Sequence, residues 1–86
     1  MEGLFVVYSI RNAEQKRYIG ISSDFSARLR QHNDGLSTFT KHRGPWFHEW
    51  HSREYSHIDA LKLEKLLKRQ KGGAGLENLM QLHKGS

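Results

Sequence analysis

The sequence predicts an α/β fold, an α+β sandwich in which a three-stranded antiparallel sheet is flanked by helices in the order β-β-α-β-α-α. Three observations carry this expectation. Two short runs rich in β-branched and aromatic residues lie on either side of a six-residue polar connection. A third such run follows the only proline. Two capped stretches with apolar residues at helical spacing follow the second and third runs.

The first run, Leu4-Phe5-Val6-Val7-Tyr8-Ser9-Ile10, is apolar and free of Gly and Pro, which marks a buried strand. The second is Arg17-Tyr18-Ile19-Gly20-Ile21-Ser22. The link Arg11-Asn12-Ala13-Glu14-Gln15-Lys16 predicts a hairpin with a loop longer than two residues. Gly20 inside a strand predicts a bulge or the close approach of another group. Ser23 or Asp24 can cap a helix whose apolar side carries Phe25, Leu29 and His32 and which stops at Asn33-Asp34-Gly35. Leu36 to Gly44 is a polar, basic loop, with Lys41-His42-Arg43 close to Phe39. Pro45 opens the third strand, Trp46-Phe47-His48-Glu49-Trp50-His51. Ser56-His57-Ile58-Asp59 resembles a capping box, with Asp at the place of Glu or Gln. From it an amphipathic helix runs to about Gln70, with Ile58, Leu61, Leu63, Leu66 and Leu67 apolar and Lys62, Lys65 and Arg69 forming a basic outer stripe. Lys71-Gly72-Gly73-Ala74-Gly75 reads as a helix stop, and Leu76 to Leu82 as a short last helix.

Eighty-six residues without repeats make one domain over residues 1–86. A chain of this size buries about 60–65% of its unfolded surface, so the core is modest. The absence of Cys excludes a disulfide scaffold and a thiolate zinc site and is compatible with a reducing cytoplasm, the expected location. No apolar run approaches the ~20 residues needed to span a membrane, and the first strand-like run begins too early to leave room for a signal peptide. The formal charge of +5 favours a polyanionic partner.

The order Val6-Val7-Tyr8, Tyr18-Ile19-Gly20, Arg28-Leu29-Arg30-Gln31-His32-Asn33 and then Glu64 on a predicted helix resembles the GIY-YIG nuclease family, in the form of its small single-domain bacterial members. The likeness runs from Phe5 to about Asn78 and is most specific from Tyr18 to Asn33. It implies a metal-dependent endonuclease that hydrolyses phosphodiester bonds of DNA, with Tyr8, Tyr18, Arg28, His32 and Glu64 as catalytic residues and Glu64 as the anchor for Mg²⁺ or Mn²⁺. Asn78 stands where some members place a structural or phosphate-contacting Asn. Arg30, Lys41 and Arg43 are further candidates for contact with nucleic acid.

The residue types suit that chemistry. Hydrolysis of a phosphodiester needs an activated water and charge neutralisation on the phosphate oxygens. One carboxylate is enough to hold Mg²⁺, which keeps most of its waters. Arg28 and His32, four apart, share a helix face, and Arg28 offers a planar fork to phosphate. A tyrosine serves as a base only when nearby cations lower its pKa from about 10. Tyr18 is the expected base, with His32 as its proton partner, and Tyr8 orients the water or shares the task. The sequence departs from the family pattern twice. Val6-Val7 replaces Gly-Ile, a strand position. Ile21 stands where some members, among them the excision-repair nuclease, carry Lys, leaving Lys16, Arg17 or Lys41 to supply a cation.

Each residue alone has an ordinary explanation. Tyr8 and Tyr18 are good strand residues, Arg28 and Arg30 are solvated helix residues, His32 suits a helix C-terminus, and Glu64 can pair with Lys68 at i+4. The joint pattern is what points to a nuclease. His48 and His51, three apart on a strand, are expected on opposite faces and make no zinc site. The Lys71–Gly75 run lacks the context of a phosphate-binding loop. So small a domain favours recognition of DNA shape, or help from a protein partner, over readout of a long sequence. The rival expectations are a catalytically silent nucleic-acid-binding module of the same fold and a protein-interaction domain.

Overall fold

A computed structural model describes residues 3–70 and 73–85. It contains β1 (Val6–Asn12), β2 (Arg17–Ser22), α1 (Phe25–Asn33), β3 (Trp46–His51), α2 (His57–Arg69) and α3 (Ala74–Leu82), the order that the sequence predicts. The strands form one antiparallel sheet ordered β2-β1-β3. β1 is therefore central. Its residues Val7, Tyr8, Ser9 and Ile10 are at most 1% exposed, because helices cover both faces. That double burial explains why the run is continuously apolar instead of alternating.

The two faces carry separate cores. Val7 and Trp50 pack with Ala60, Leu63 and Leu67 of α2 and Leu76 and Met80 of α3. Tyr8, Ile10 and Trp46 pack with Phe25 and Leu29 of α1 and with Tyr18. Each fully buried aliphatic side chain contributes about 1.5–3 kcal/mol. The indole N–H groups find carbonyls: Trp50 donates to Met80 O (2.8 Å) and Trp46 to Thr40 O (3.0 Å).

Local chemistry sets the element ends. Asp24, not Ser23, caps α1 by accepting from Ala27 N (3.1 Å), and Gly35 follows the helix at φ +76°. Ser56 caps α2 by accepting from Asp59 N (3.2 Å). β1 starts and ends two residues later than the predicted Leu4–Ile10 run, because Asn12 belongs to the strand and folds the hairpin turn. The Asn12 Oδ1 accepts from Glu14 N (3.0 Å) and Lys16 N (2.9 Å).

Three further expectations change. The apolar side of α2 consists of Ala60, Leu63 and Leu67, whereas Ile58 is 64% and Leu66 37% exposed. Ile58 and Leu67 lie about 2.5 turns apart, so they face opposite ways. α3 starts at Ala74, two residues before the predicted Leu76, with Gly73 at its N-cap. The rest of the predicted break, Lys71 and Gly72, lies outside the described residues, as do Met1 and Glu2. Third, the register shifts between Ser9↔Trp50 and Ile10↔His48, which makes Glu49 an extra residue in β3. This bulge changes the strand's phase by one. His48 and His51 consequently meet, Nε2 to Nδ1 at 2.9 Å, instead of facing apart.

The bulge also delivers Glu49 to a three-strand junction that the sequence does not announce. Its carboxylate accepts from Ser9 Oγ (2.9 Å), from Arg11 Nε and from Arg17 Nε (2.7 Å) and Nη2 (2.9 Å). Burial pushes the Glu49 carboxyl up, but the bonds from Arg17, Arg11 and Ser9 outweigh it and hold it at about 2. No helix among the described residues is long and apolar enough to cross a membrane.

Candidate functional site

The site is built where β1 looks across β2 toward the sheet edge. Tyr8 pairs with Gly20 in an unbroken β1–β2 register, so the glycine marks a close approach and not a bulge. A Cβ on Gly20 would lie 2.7 Å from the Tyr8 hydroxyl, 2.9 Å from its Cζ and 3.1 Å from Tyr18 Cε1. Only a residue without a side chain lets the Tyr8 ring cross its neighbouring strand. Tyr18, two residues before Gly20, stands on the same face, with ring centroids 6.4 Å apart from Tyr8.

α1 supplies the next layer. His32 is 1% exposed, and its Nε2 lies 2.7 Å from the Tyr8 hydroxyl. Its Nδ1 lies 2.7 Å from Thr40 Oγ1. Burial, and secondarily Arg28, lowers the His32 pKa to about 4, so the imidazole is neutral at pH 7. Burial pushes the Tyr8 phenol up to about 12; Arg28 beside it pulls the other way, while Tyr18 and Glu64 push it further up. A protonated phenol donates to Nε2, and the Nδ1–H then donates to Thr40 Oγ1. Asn33, the last residue of α1, fixes that helix to β3: its Oδ1 accepts from Trp46 N (2.6 Å) and its Nδ2 donates to Trp46 O (3.1 Å).

α2 brings the acid. Glu64 is 17% exposed at its side chain and pairs with Lys68 Nζ at 3.2 Å. The ordinary i, i+4 pair is therefore present, and the Glu64 charge is the smallest of the effects that raise the Tyr8 phenol's pKa. Lys68 reaches 6.0 Å from the Tyr18 ring centroid, at the outer limit of a cation–π contact.

Tyr8, Tyr18, Arg28, His32 and Glu64 thus come from β1, β2, α1 and α2 to one neighbourhood. His32 bonds the Tyr8 hydroxyl, whereas Tyr18 meets it ring to ring, with centroids 4.9 Å apart. The other predicted contacts scatter. Arg30 is exposed on α1, two residues and so more than half a turn from Arg28. Asn78 is exposed on α3. Lys41 lines a hollow beside Asn33 and Pro45, while Arg43 lines a different groove with Tyr18 and Lys68. Among the cations considered as substitutes for a lysine at Ile21, Arg17 is engaged by Glu49. A cation that reaches both Glu64 and Tyr18 is Lys68, which the sequence offered only as the i+4 partner of Glu64 and not as a substitute for the lysine.

No cluster of three or more metal-ligating side chains exists among the described residues. A single carboxylate such as Glu64 suits a hard divalent cation that keeps its waters, such as Mg²⁺ or Mn²⁺, and does not suit a closed zinc site. Neither a curated protein sequence nor a solved structure matches the chain significantly. The family model of the GIY-YIG catalytic domain, however, matches residues 4–77, which take in both tyrosine motifs, the arginine–histidine helix and the glutamate. The chain therefore belongs to the GIY-YIG family of nucleases.

Proposed function

We propose that this protein is a metal-dependent endonuclease acting on DNA, with Tyr8, Tyr18, Arg28, His32 and Glu64 as its working residues. The observation that carries the proposal is the buried Tyr8–His32 hydrogen bond of 2.7 Å at a site where Arg28 and Glu64 also act. Glu64 would hold Mg²⁺ or Mn²⁺. When bound, the cation supplies Lewis acidity to the phosphate and to a coordinated water.

The chain's own groups do the remaining work. Tyr8 takes the proton of the attacking water as it passes its own to His32 Nε2, and Thr40 Oγ1 holds the opposite ring nitrogen. The neutral state of His32 leaves a lone pair for that transfer. Arg28 draws the Tyr8 pKa down against burial and forks toward the phosphate oxygens. Tyr18 packs against His32 and borders the substrate groove. The hydrogen bond to His32 supports Tyr8 as the base in this reading, where the sequence alone favoured Tyr18.

A second reading is favoured by one observation, the Glu64–Lys68 pair, which already neutralises the acid. In it the domain binds nucleic acid without cutting. Incubation of supercoiled plasmid and branched DNA with Mg²⁺ or Mn²⁺ separates the two. The nuclease reading expects cleavage that EDTA and Glu64→Ala abolish. Salt-sensitive binding without turnover in any metal, or cleavage that survives Glu64→Ala, overturns it.

A further inference from the structure

Phe39 is the most exposed aromatic residue of the described chain, at 74%, on a loop that is otherwise anchored. Its neighbours Ser37 and Thr40 are 7% and 1% exposed. Thr40 is tied to His32 by its hydroxyl and to the Trp46 indole by its carbonyl (3.0 Å). The backbone bonds Thr40 N→Ser37 O (3.3 Å) and Lys41 N→Ser37 O (2.9 Å) close the turn beneath it. The loop thus buries small polar residues and holds a large apolar ring in water, an inversion of the usual preference.

The ring borders a groove of about 490 Å³ lined by Lys16, Tyr18, Phe39, Arg43, Trp46 and Lys68, among others. The Phe39 and Tyr18 rings lie 6.5 Å apart at 32°. Two cations on its rim are positioned by one buried side chain. Asn12, 4% exposed, accepts from Lys16 N (2.9 Å) and donates through Nδ2 to Arg43 O (2.9 Å). The Lys16 and Arg43 side chains enter no ion pair among the described residues. The groove reaches the candidate site through Tyr18.

We propose that this groove binds an unpaired nucleotide of a DNA strand, with its base stacked on Phe39 and its flanking phosphates held by Lys16, Arg43 and Lys68. The substrate would then be DNA carrying a single-stranded or flipped-out element next to the cut. An exposed π face inside a cationic groove is the combination that retains single strands without reading sequence. Duplex DNA keeps its bases stacked and cannot use the ring. This inference rests on the nuclease reading for the position of the cut, but the binding itself requires neither metal nor turnover.

The test is fluorescence anisotropy with a labelled oligo-dT 12-mer and a labelled 12-base-pair duplex, in EDTA at low salt. Phe39→Ala should weaken single-strand binding about tenfold and leave duplex binding unchanged, as loss of one stacked base costs about that much. Phe39→Trp should restore it, and Lys16→Ala with Arg43→Ala should weaken both ligands. Circular dichroism checks the fold of each variant. Single-strand binding that is undetectable, or equal in wild type and Phe39→Ala, overturns the proposal, as does an equal loss on both ligands. If the stacking result holds while no metal supports cleavage, the nuclease reading fails and the groove assignment stands.

Discussion

Gly20→Ala tests the close approach on which the site depends. The new Cβ would sit 2.7 Å from the Tyr8 hydroxyl and 2.9 Å from Cζ. An ordinary contact needs about 3.4 Å or more, so the ring must move by roughly 0.7 Å. It has little room, because Tyr8 is 1% exposed and packs 5.1 Å from the Phe25 ring. The displacement stretches the 2.7 Å bond to His32, whose other nitrogen is held by Thr40. Overpacking costs about 1–3 kcal/mol, and a weakened buried hydrogen bond about 1 kcal/mol more. Alanine gives back about 0.4–1 kcal/mol by restricting the unfolded chain, since Gly20 does not occupy the left-handed region. The net loss is about 1–3.6 kcal/mol, read as a lower urea midpoint at unchanged slope. Cleavage should fall more steeply, on the order of 100-fold, because a shift of roughly 0.7 Å misplaces the proposed base. The two effects together are the signature. A variant with wild-type stability and wild-type cleavage would refute the claim that Gly20 exists to let Tyr8 through.

Other consequences can be measured separately. His32 holds its proton only below about 4 when folded, against 6.5 for the free group, so the unfolded state binds more protons between these values. Stability is full above pH 6.5 and falls as the pH drops toward 4, by up to about 3 kcal/mol; urea titrations at pH 7 and pH 4.5 should show this fall, reduced in His32→Gln. Glu49 has its folded pKa near 2 against 4.5, so its contribution persists above 4.5 and is lost as the pH falls toward 2. Glu49→Gln should cost about 1–3 kcal/mol at pH 7 and flatten that acid limb, because it removes the charge shared by Arg11 and Arg17. Lys68→Met removes the cation 3.2 Å from Glu64 and should tighten Mn²⁺ binding about twofold by electron paramagnetic resonance, the value of an i, i+4 pair. Unchanged or weaker binding would show that the lysine does not compete for the acid.

What the sequence discloses, and what it withholds, follows from the range of the interactions. β1 is legible because a strand buried on both faces must be apolar throughout, and the starts of α1 and α2 because Asp24 and Ser56 act on donors three residues away. The bulge is hidden, because no residue type announces an extra position at Glu49, and its effects on His48, His51, Arg11 and Arg17 all stem from that single residue. Tyr8, Tyr18, His32 and Glu64 were visible as a pattern. The choice of tyrosine for His32 was not, since it depends on Gly20 directing the Tyr8 hydroxyl past its own strand.

The same logic explains why the loop from Leu36 to Gly44, the least patterned stretch of the sequence, carries so much of the site. Thr40 closes the hydrogen-bond chain that starts at Tyr8, and its carbonyl takes the Trp46 indole that anchors the start of β3. The adjacent Phe39 faces the groove instead. One turn therefore couples three things: the orientation of His32, the docking of β3 against α1 and the wall of the groove. Loss of the Thr40 hydroxyl would free Nδ1 and let the ring of His32 rotate, although nothing in the Tyr8 or His32 motifs had changed. A loop fixed so firmly at its buried residues, and left open at one aromatic ring, holds its wall of the groove in register with the buried Tyr8–His32–Thr40 hydrogen-bond chain.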